Sequence, residues 1–168
     1  MKSNFITTVY GSVIPGIIKV LAQATRNLGG EWLTSKIIKL DGQFAAIMNV
    51  VVEEEQEKVL KSTLEQNFPR LCFVYAPVNI SRKREETKII NLVVECIDRP
   101  GLTGDLSSIL TNLDIGVEDM ECKRFVMDGI GDTVFSARLT LAVPIDADSA
   151  TIAGEIETLS EDVRVDIQ

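Results

Sequence analysis

The chain repeats itself. The segment Phe5-Ile-Thr-Thr-Val-Tyr-Gly-Ser-Val-Ile-Pro-Gly-Ile-Ile-Lys-Val-Leu21 recurs as Ile90-Asn-Leu-Val-Val-Glu-Cys-Ile-Asp-Arg-Pro-Gly-Leu-Thr-Gly-Asp-Leu106, with Pro15-Gly16 and Pro100-Gly101 in register 85 positions apart. In each copy an apolar run meets Pro-Gly and passes into a helical apolar pattern. A unit of that length is too long for a solenoid repeat, and two copies fill the 168 residues, so the chain reads as two copies of one small domain. A module of about 80 residues buries a modest core, and packing against a twin would help stabilise it.

Periodicity predicts the elements of each copy. In the first, Phe5–Tyr10 reads as a strand and Pro15–Leu28 as a helix with Ile17, Leu21, Ala24 and Leu28 on one face. Pro15 suits a first helical turn and Gly29-Gly30 a stop. Strands at Trp32–Leu40 and Phe44–Val52 flank Asp41-Gly42, a favoured hairpin turn. A helix over Glu53–Asn67, with Leu60 and Leu64 inward, precedes a strand at Leu71–Tyr75.

The second copy follows suit. It reads as a strand at Asn91–Cys96, a helix at Pro100–Asn112, and a hairpin of Val117–Met127 and Thr133–Val143 around Asp128–Gly131. A helix over Ser149–Leu159, capped by Asp148 or Ser149, and a strand at Val163–Ile167 complete it. The expected organisation is a module at 1–79, a charged linker at 80–88 and a second module at 89–168. Each half is then β-α-β-β-α-β: an α+β, ferredoxin-like unit with an antiparallel sheet and both helices on one face. Ala46, Met48, Val50 and Val52 share one face of their strand, and Ala45, Ile47 and Val51 the other. The sheets therefore look apolar on both sides, which predicts a partner module or subunit opposite the helices.

Composition narrows the chemistry. There is no histidine, which removes the commonest general base and metal ligand together. Cys72, Cys96 and Cys122 are odd in number and widely spaced, as expected of buried free thiols rather than of a disulfide framework or a zinc cluster. No signal peptide or membrane span is evident, so a cytoplasmic location without membrane contact is expected. Residues 1–84 hold 11 Lys/Arg and 7 Asp/Glu, net +4; residues 85–168 hold 6 and 18, net −12. An acidic half repels phosphate backbones, so direct nucleic-acid binding is poorly supported, while a solvated surface or a docking face for a basic protein fits.

The turn between the first strand and first helix of each copy is the candidate site. Glycine there lets backbone approach a ligand, and free N–H groups of the first helical turn attract a carboxylate. In the second copy Asp98 precedes the turn and can accept from an ammonium group, making a cradle for a zwitterion; alternatively it caps the helix. Thr103, Asp105 and Ser107 stand near the same helix start, but with neither histidine nor lysine in the motif they suggest no activated nucleophile. Trp32, the single tryptophan, reads as sheet packing or a pocket wall.

Asp98-Arg99-Pro100-Gly101-Leu102 at this position resembles the ACT domain, a regulatory small-ligand module. Gly29-Gly-Glu-Trp-Leu-Thr-Ser-Lys36 followed by Leu40-Asp-Gly-Gln-Phe-Ala-Ala-Ile-Met-Asn-Val50 is similar to tandem-ACT proteins of the bacterial glycine cleavage system transcriptional repressor type. The resemblance covers essentially the whole chain. It implies a cytoplasmic regulator without cofactor or DNA-binding domain, an amino-acid effector such as glycine, and a transcription activator protein as partner. It also implies ligand contacts at Asp98, Arg99, Gly101, Leu102 and Thr103, and at Ser12, Gly16 and Ile17 of the first copy. That copy has Val13-Ile14 where the motif has Asp-Arg, so its ammonium partner is missing, and Glu31 is the candidate replacement. The family's Asn-Ile pair after the first helix is Glu31-Trp32 in one copy and Gly116-Val117 in the other.

Other functions remain open at this level. The chain could be a regulatory subunit or sensor of a metabolic enzyme, or a docking module that has lost its ligand. A homodimer or higher oligomer is expected in any case. A hydrolase on this scaffold would need an anion loop with a positioned Arg and Asn, and neither copy offers the pair.

Overall fold

The central strands alternate a buried face with an outer one, and each module folds them around its own core. The computed structural model of the chain describes residues 1–78, 86–129 and 131–168. Two compact units emerge, Met1–Ser81 and Arg82–Gln168. Most of the expected linker lies outside the described residues, as does Ile130; its last positions, Thr87 and Lys88, already belong to a strand.

The first unit runs β1 (Lys2–Ser12), α1 (Ile17–Asn27), β2 (Glu31–Leu40), β3 (Gln43–Glu53), α2 (Glu54–Asn67) and β4 (Cys72–Pro77). Its antiparallel sheet has the order β2-β3-β1-β4. Phe5, Val9, Phe44, Ala46, Met48, Val50 and Val52 face α1 and α2, which supply Ile17, Leu21, Leu60 and Leu64 to one core. Asp41 and Gly42 both take positive φ, the backbone that a two-residue hairpin of this twist requires.

The second unit repeats this with β5 (Thr87–Ile97), α3 (Leu102–Asn112), β6 (Gly116–Val126), β7 (Thr133–Pro144), α4 (Ser149–Glu157) and β8 (Arg164–Ile167), in the order β6-β7-β5-β8. Phe135, Ala137, Leu139, Leu141 and Val143 of β7 are wholly buried against Leu102, Leu106, Leu110, Ile152 and Ile156 of the helices. Leu102, Leu106 and Leu110 of α3 are fully buried, and Ile109 and Leu113 pack half-buried against the same core.

Two expectations need correction. Neither Pro15 nor Pro100 opens its helix, because the glycine that follows is left-handed, with φ of 75° at Gly16 and 89° at Gly101. Each glycine is instead the N-cap, and helical geometry begins one residue later. Cys72 is not buried: its edge strand turns it to the open face, opposite Tyr10, while Cys96 is buried and Cys122 half-buried. The open face of the first sheet is apolar as expected, with Tyr10, Ile38, Leu40, Ile47 and Val74 exposed. The corresponding face of the second sheet is mixed: exposed Ile89, Ile97 and Phe125 lie beside Asn91, Glu95, Glu121, Lys123, Arg138 and Thr140.

Asp148 caps α4, accepting from the Ala150 and Thr151 amides and the Thr151 hydroxyl. The hydroxyl bond and then the Ala150 amide hold its carboxyl below the usual carboxylate range. A carboxyl lowered in the folded state stabilises above its unfolded pKa of about 4, and that contribution disappears as pH falls through the lower folded value. Thermal melts between about pH 2 and 7 should therefore show the second module losing stability on the acid side. Asp148→Asn, which keeps the capping oxygen, should flatten this dependence; an unchanged acid limb would refute the assignment.

Candidate functional site

The loop joining β5 to α3 gathers the charged groups of the second module. Strand β5 delivers Asp98 at its end, and the Asp98 amide donates to the Thr133 carbonyl at 2.7 Å, which fixes the loop on β7. Across the sheet, Arg124 of β6 donates through Nε to both Asp98 carboxylate oxygens, at 3.0 and 3.1 Å. The guanidinium also lies 5.1 Å from the Phe135 ring centroid, a cation–π contact. Asp98 thus does not cap α3, and no side chain does.

Arg99 ties the loop to the rest of its module. Its Nη1 donates to Asp105 Oδ2 at 2.8 Å and its Nη2 to the Leu159 carbonyl at 3.1 Å. Beneath the loop, Asp162 accepts from the Ile97 amide and the Ser160 hydroxyl, and these bonds, the Ser160 one foremost, lower its pKa. Burial, reinforced by the Asp162 charge, pushes the Cys96 thiol up, so it is a poor nucleophile. Cys122 is also raised by burial, against a hydrogen bond from Thr103. Ser107 donates back to the Thr103 carbonyl at 2.7 Å, and Asp105 is held by Arg99, so the three polar groups near the helix start form no nucleophile–base pair.

Leu102 is wholly buried, backbone included, so the expected ligand contact at this residue is not exposed, whereas Thr103 and Gly104 after it are. Among the described residues the Leu102 amide makes no turn bond to Arg99, and the Asp105 amide returns to the Gly101 carbonyl at 2.9 Å. The first module differs at the matching place. There the Ile17 amide donates to the Ile14 carbonyl at 3.1 Å, so it is not open to a carboxylate. The Ile17 side chain is core, and Ser12 accepts from Gln43 Nε2 at 3.3 Å. Gly16 supplies the turn but has no acidic neighbour.

Glu31 does not join that loop within its own module. It begins β2, at the other end of α1, which is about 15 Å long at 1.5 Å per residue. Its neighbours are Arg26 and Trp32, around a surface cavity. Trp32 packs half-buried against the core, and its indole Nε1 donates to Thr25 Oγ1 at 3.2 Å. Two participants were not legible beforehand. Arg124 lies 26 positions from Asp98 and reaches it only through the pairing of β6 and β5 on β7; Arg26 falls in the last turn of α1, where a basic residue ordinarily serves the helix dipole. Among the described residues no group of acidic or thiol side chains could hold a metal ion.

Two βαββαβ modules, each with a glycine-opened helix beside a strand end, define a duplicated ferredoxin-like fold. Residues 3–71 match the family model of the ACT domain, and the second module has the same topology as the first. A crystal structure of an unknown protein from Galdieria sulphuraria is similar over 100% of this chain and 98% of its own, with TM-score 0.83 and 22% identity. A protein proposed to be a glycine cleavage system transcriptional repressor is similar over 100% of this chain and 97% of its own, with TM-score 0.76 and 16% identity. At those identities the likeness is one of fold. No curated protein matches the chain by sequence. No helix among the described residues is long and apolar enough to cross a membrane.

Proposed function

We propose that the chain is an amino-acid-responsive regulator that acts by binding another protein, with its sensing site at the loop from Asp98 to Thr103. The observation that carries this reading is the pairing of an acidic side chain with an open helix start. Asp98 supplies a carboxylate for an ammonium group, and the first turn of α3 behind left-handed Gly101, where Thr103 and Gly104 are exposed, supplies amide donors for a carboxylate. Arg124 uses one N–H for both Asp98 oxygens, so lone pairs remain on each for a second donor. The ACT match supports a ligand-sensing role, and the fold likeness to a proposed glycine cleavage repressor makes glycine the first effector to test. The partner would be the transcription activator of glycine cleavage genes, contacted by protein rather than DNA in the cytoplasm. The acidic second half suits a basic protein surface and repels nucleic acid. An effector could switch the partner only through different affinities for two states of the regulator. The open apolar sheet of the first module is where a homodimer would form.

Calorimetry with glycine and serine tests the site. Asp98→Ala should weaken binding at least about tenfold while leaving far-UV circular dichroism unchanged, as loss of a charge-assisted bond implies. Unchanged affinity would remove Asp98 from the site, and recovery of a metabolic enzyme rather than a transcription regulator by affinity purification would redirect the function. The prior claim of Arg124 on Asp98 favours a second reading, a docking module whose loop is closed by its own ion pair. In that case no amino acid binds and Arg124→Ala exposes a latent site.

A further inference from the structure

Two opposite charges of the first module, Arg26 and Glu31, stand on one cavity. Its volume is about 520 Å³, and Arg26, Glu31, Trp32, Thr25 and Ala22 line it. Arg26 ends α1 and Glu31 begins β2, on either side of the Gly29-Gly30 turn. Among the described residues neither side chain makes a hydrogen bond or an ion pair, although both are charged and five positions apart. The Gly30 amide is spent on the Thr25 carbonyl and the Gly29 amide on that of Arg26, so the turn is rigid and the charges are what it offers. The Trp32 ring is fixed by its bond to Thr25, whose hydroxyl is itself anchored on the Leu21 carbonyl at 2.9 Å.

We propose that this cleft binds an α-amino acid larger than glycine, in a second site built differently from the Asp98 loop. The Arg26 guanidinium takes the carboxylate, for which its forked donors are suited, and the Glu31 carboxylate takes the ammonium group. The side chain lies along the Trp32 ring and Ala22. Glycine cannot use that wall, and a cavity of this volume has room for many more atoms than glycine has. The inference rests on reading the chain as an amino-acid sensor, and places a second specificity in the module whose Pro-Gly loop has lost its acid.

Trp32 is the sole tryptophan, so its fluorescence reports on the cleft directly. Titration of the full chain with leucine or phenylalanine should give a saturable change in emission. Glycine should require at least about tenfold higher concentration, and leucinamide (no carboxylate) and 4-methylpentanoate (no ammonium) should give none. Arg26→Gln and Glu31→Gln should each raise the leucine midpoint at least about tenfold, whereas Asp98→Ala should leave it in place. A flat emission up to about 10 mM leucine and phenylalanine, or a response lost in Asp98→Ala and kept in Arg26→Gln, overturns the cleft. If calorimetry then still shows Asp98-dependent glycine binding, the sensor reading survives without this site; if it shows none, both fall.

Discussion

Truncating Phe135 to alanine is expected to cost the second module about 3–5 kcal/mol, the usual toll of removing a buried aromatic ring. Phe135 has no exposed surface and stands in the middle of β7, opposite Cys96 on β5 and Arg124 on β6. Typical domains are stable by about 5–15 kcal/mol, so a small module loses much of its margin and its melting transition should fall well below that of the first. The substitution also reaches the site. Arg124 rests on the Phe135 ring while holding Asp98, so loss of the ring frees the guanidinium. Phe135→Leu separates the two effects, because it keeps most of the buried volume and removes the cation–π contact. Urea unfolding should show a much smaller loss for leucine than for alanine, and equal losses would mean that volume is not what Phe135 contributes.

A methyl group added at Gly30 is expected to destabilise the first module by about 1–3 kcal/mol through overpacking. A Cβ there would stand 2.8 Å from Thr25 Cγ2, 3.1 Å from the Thr25 carbonyl oxygen and 3.2 Å from Leu60 Cδ2. The first and third contacts can shift only by moving core side chains, and the second is backbone. Because Thr25 also orients Trp32, Gly30→Ala should alter tryptophan emission in the folded protein. Gly29→Ala makes an informative contrast: no atom lies within 4 Å of its Cβ, but its φ is +75°. Its cost is backbone strain, roughly 1–2 kcal/mol, and the Trp32 environment should be spared. If Gly29→Ala perturbs emission as strongly as Gly30→Ala, steric contact with Thr25 is not the cause.

Much of the architecture was legible because it depends on short-range pattern. Alternation in Phe135–Val143, helical spacing in α1 and the Asp41-Gly42 turn each specify local geometry with no knowledge of neighbours. The starts of α1 and α3 were misplaced by two residues, since Pro-Gly suits either a first turn or the turn before a left-handed cap. The make-up of the second sheet's open face was not legible, because its polar and apolar residues are scattered over β5, β6 and β7 and form one surface only once the strands are paired.

The sequence by itself determined the duplication, the βαββαβ order of both halves and the survival of Asp98-Arg99 in only one of them. Those are properties of neighbours along a chain, encoded by spacing and residue type. Tertiary structure alone decided which charges are spoken for. Arg124 comes to Asp98 and Arg99 to Leu159 through sheet register and helix packing, 26 and 60 positions away. Arg26 and Glu31, by contrast, are close in sequence yet unpaired, because the turn between them directs both to one cavity. Electrostatic partners are chosen by distance in space, and strand pairing sets that distance.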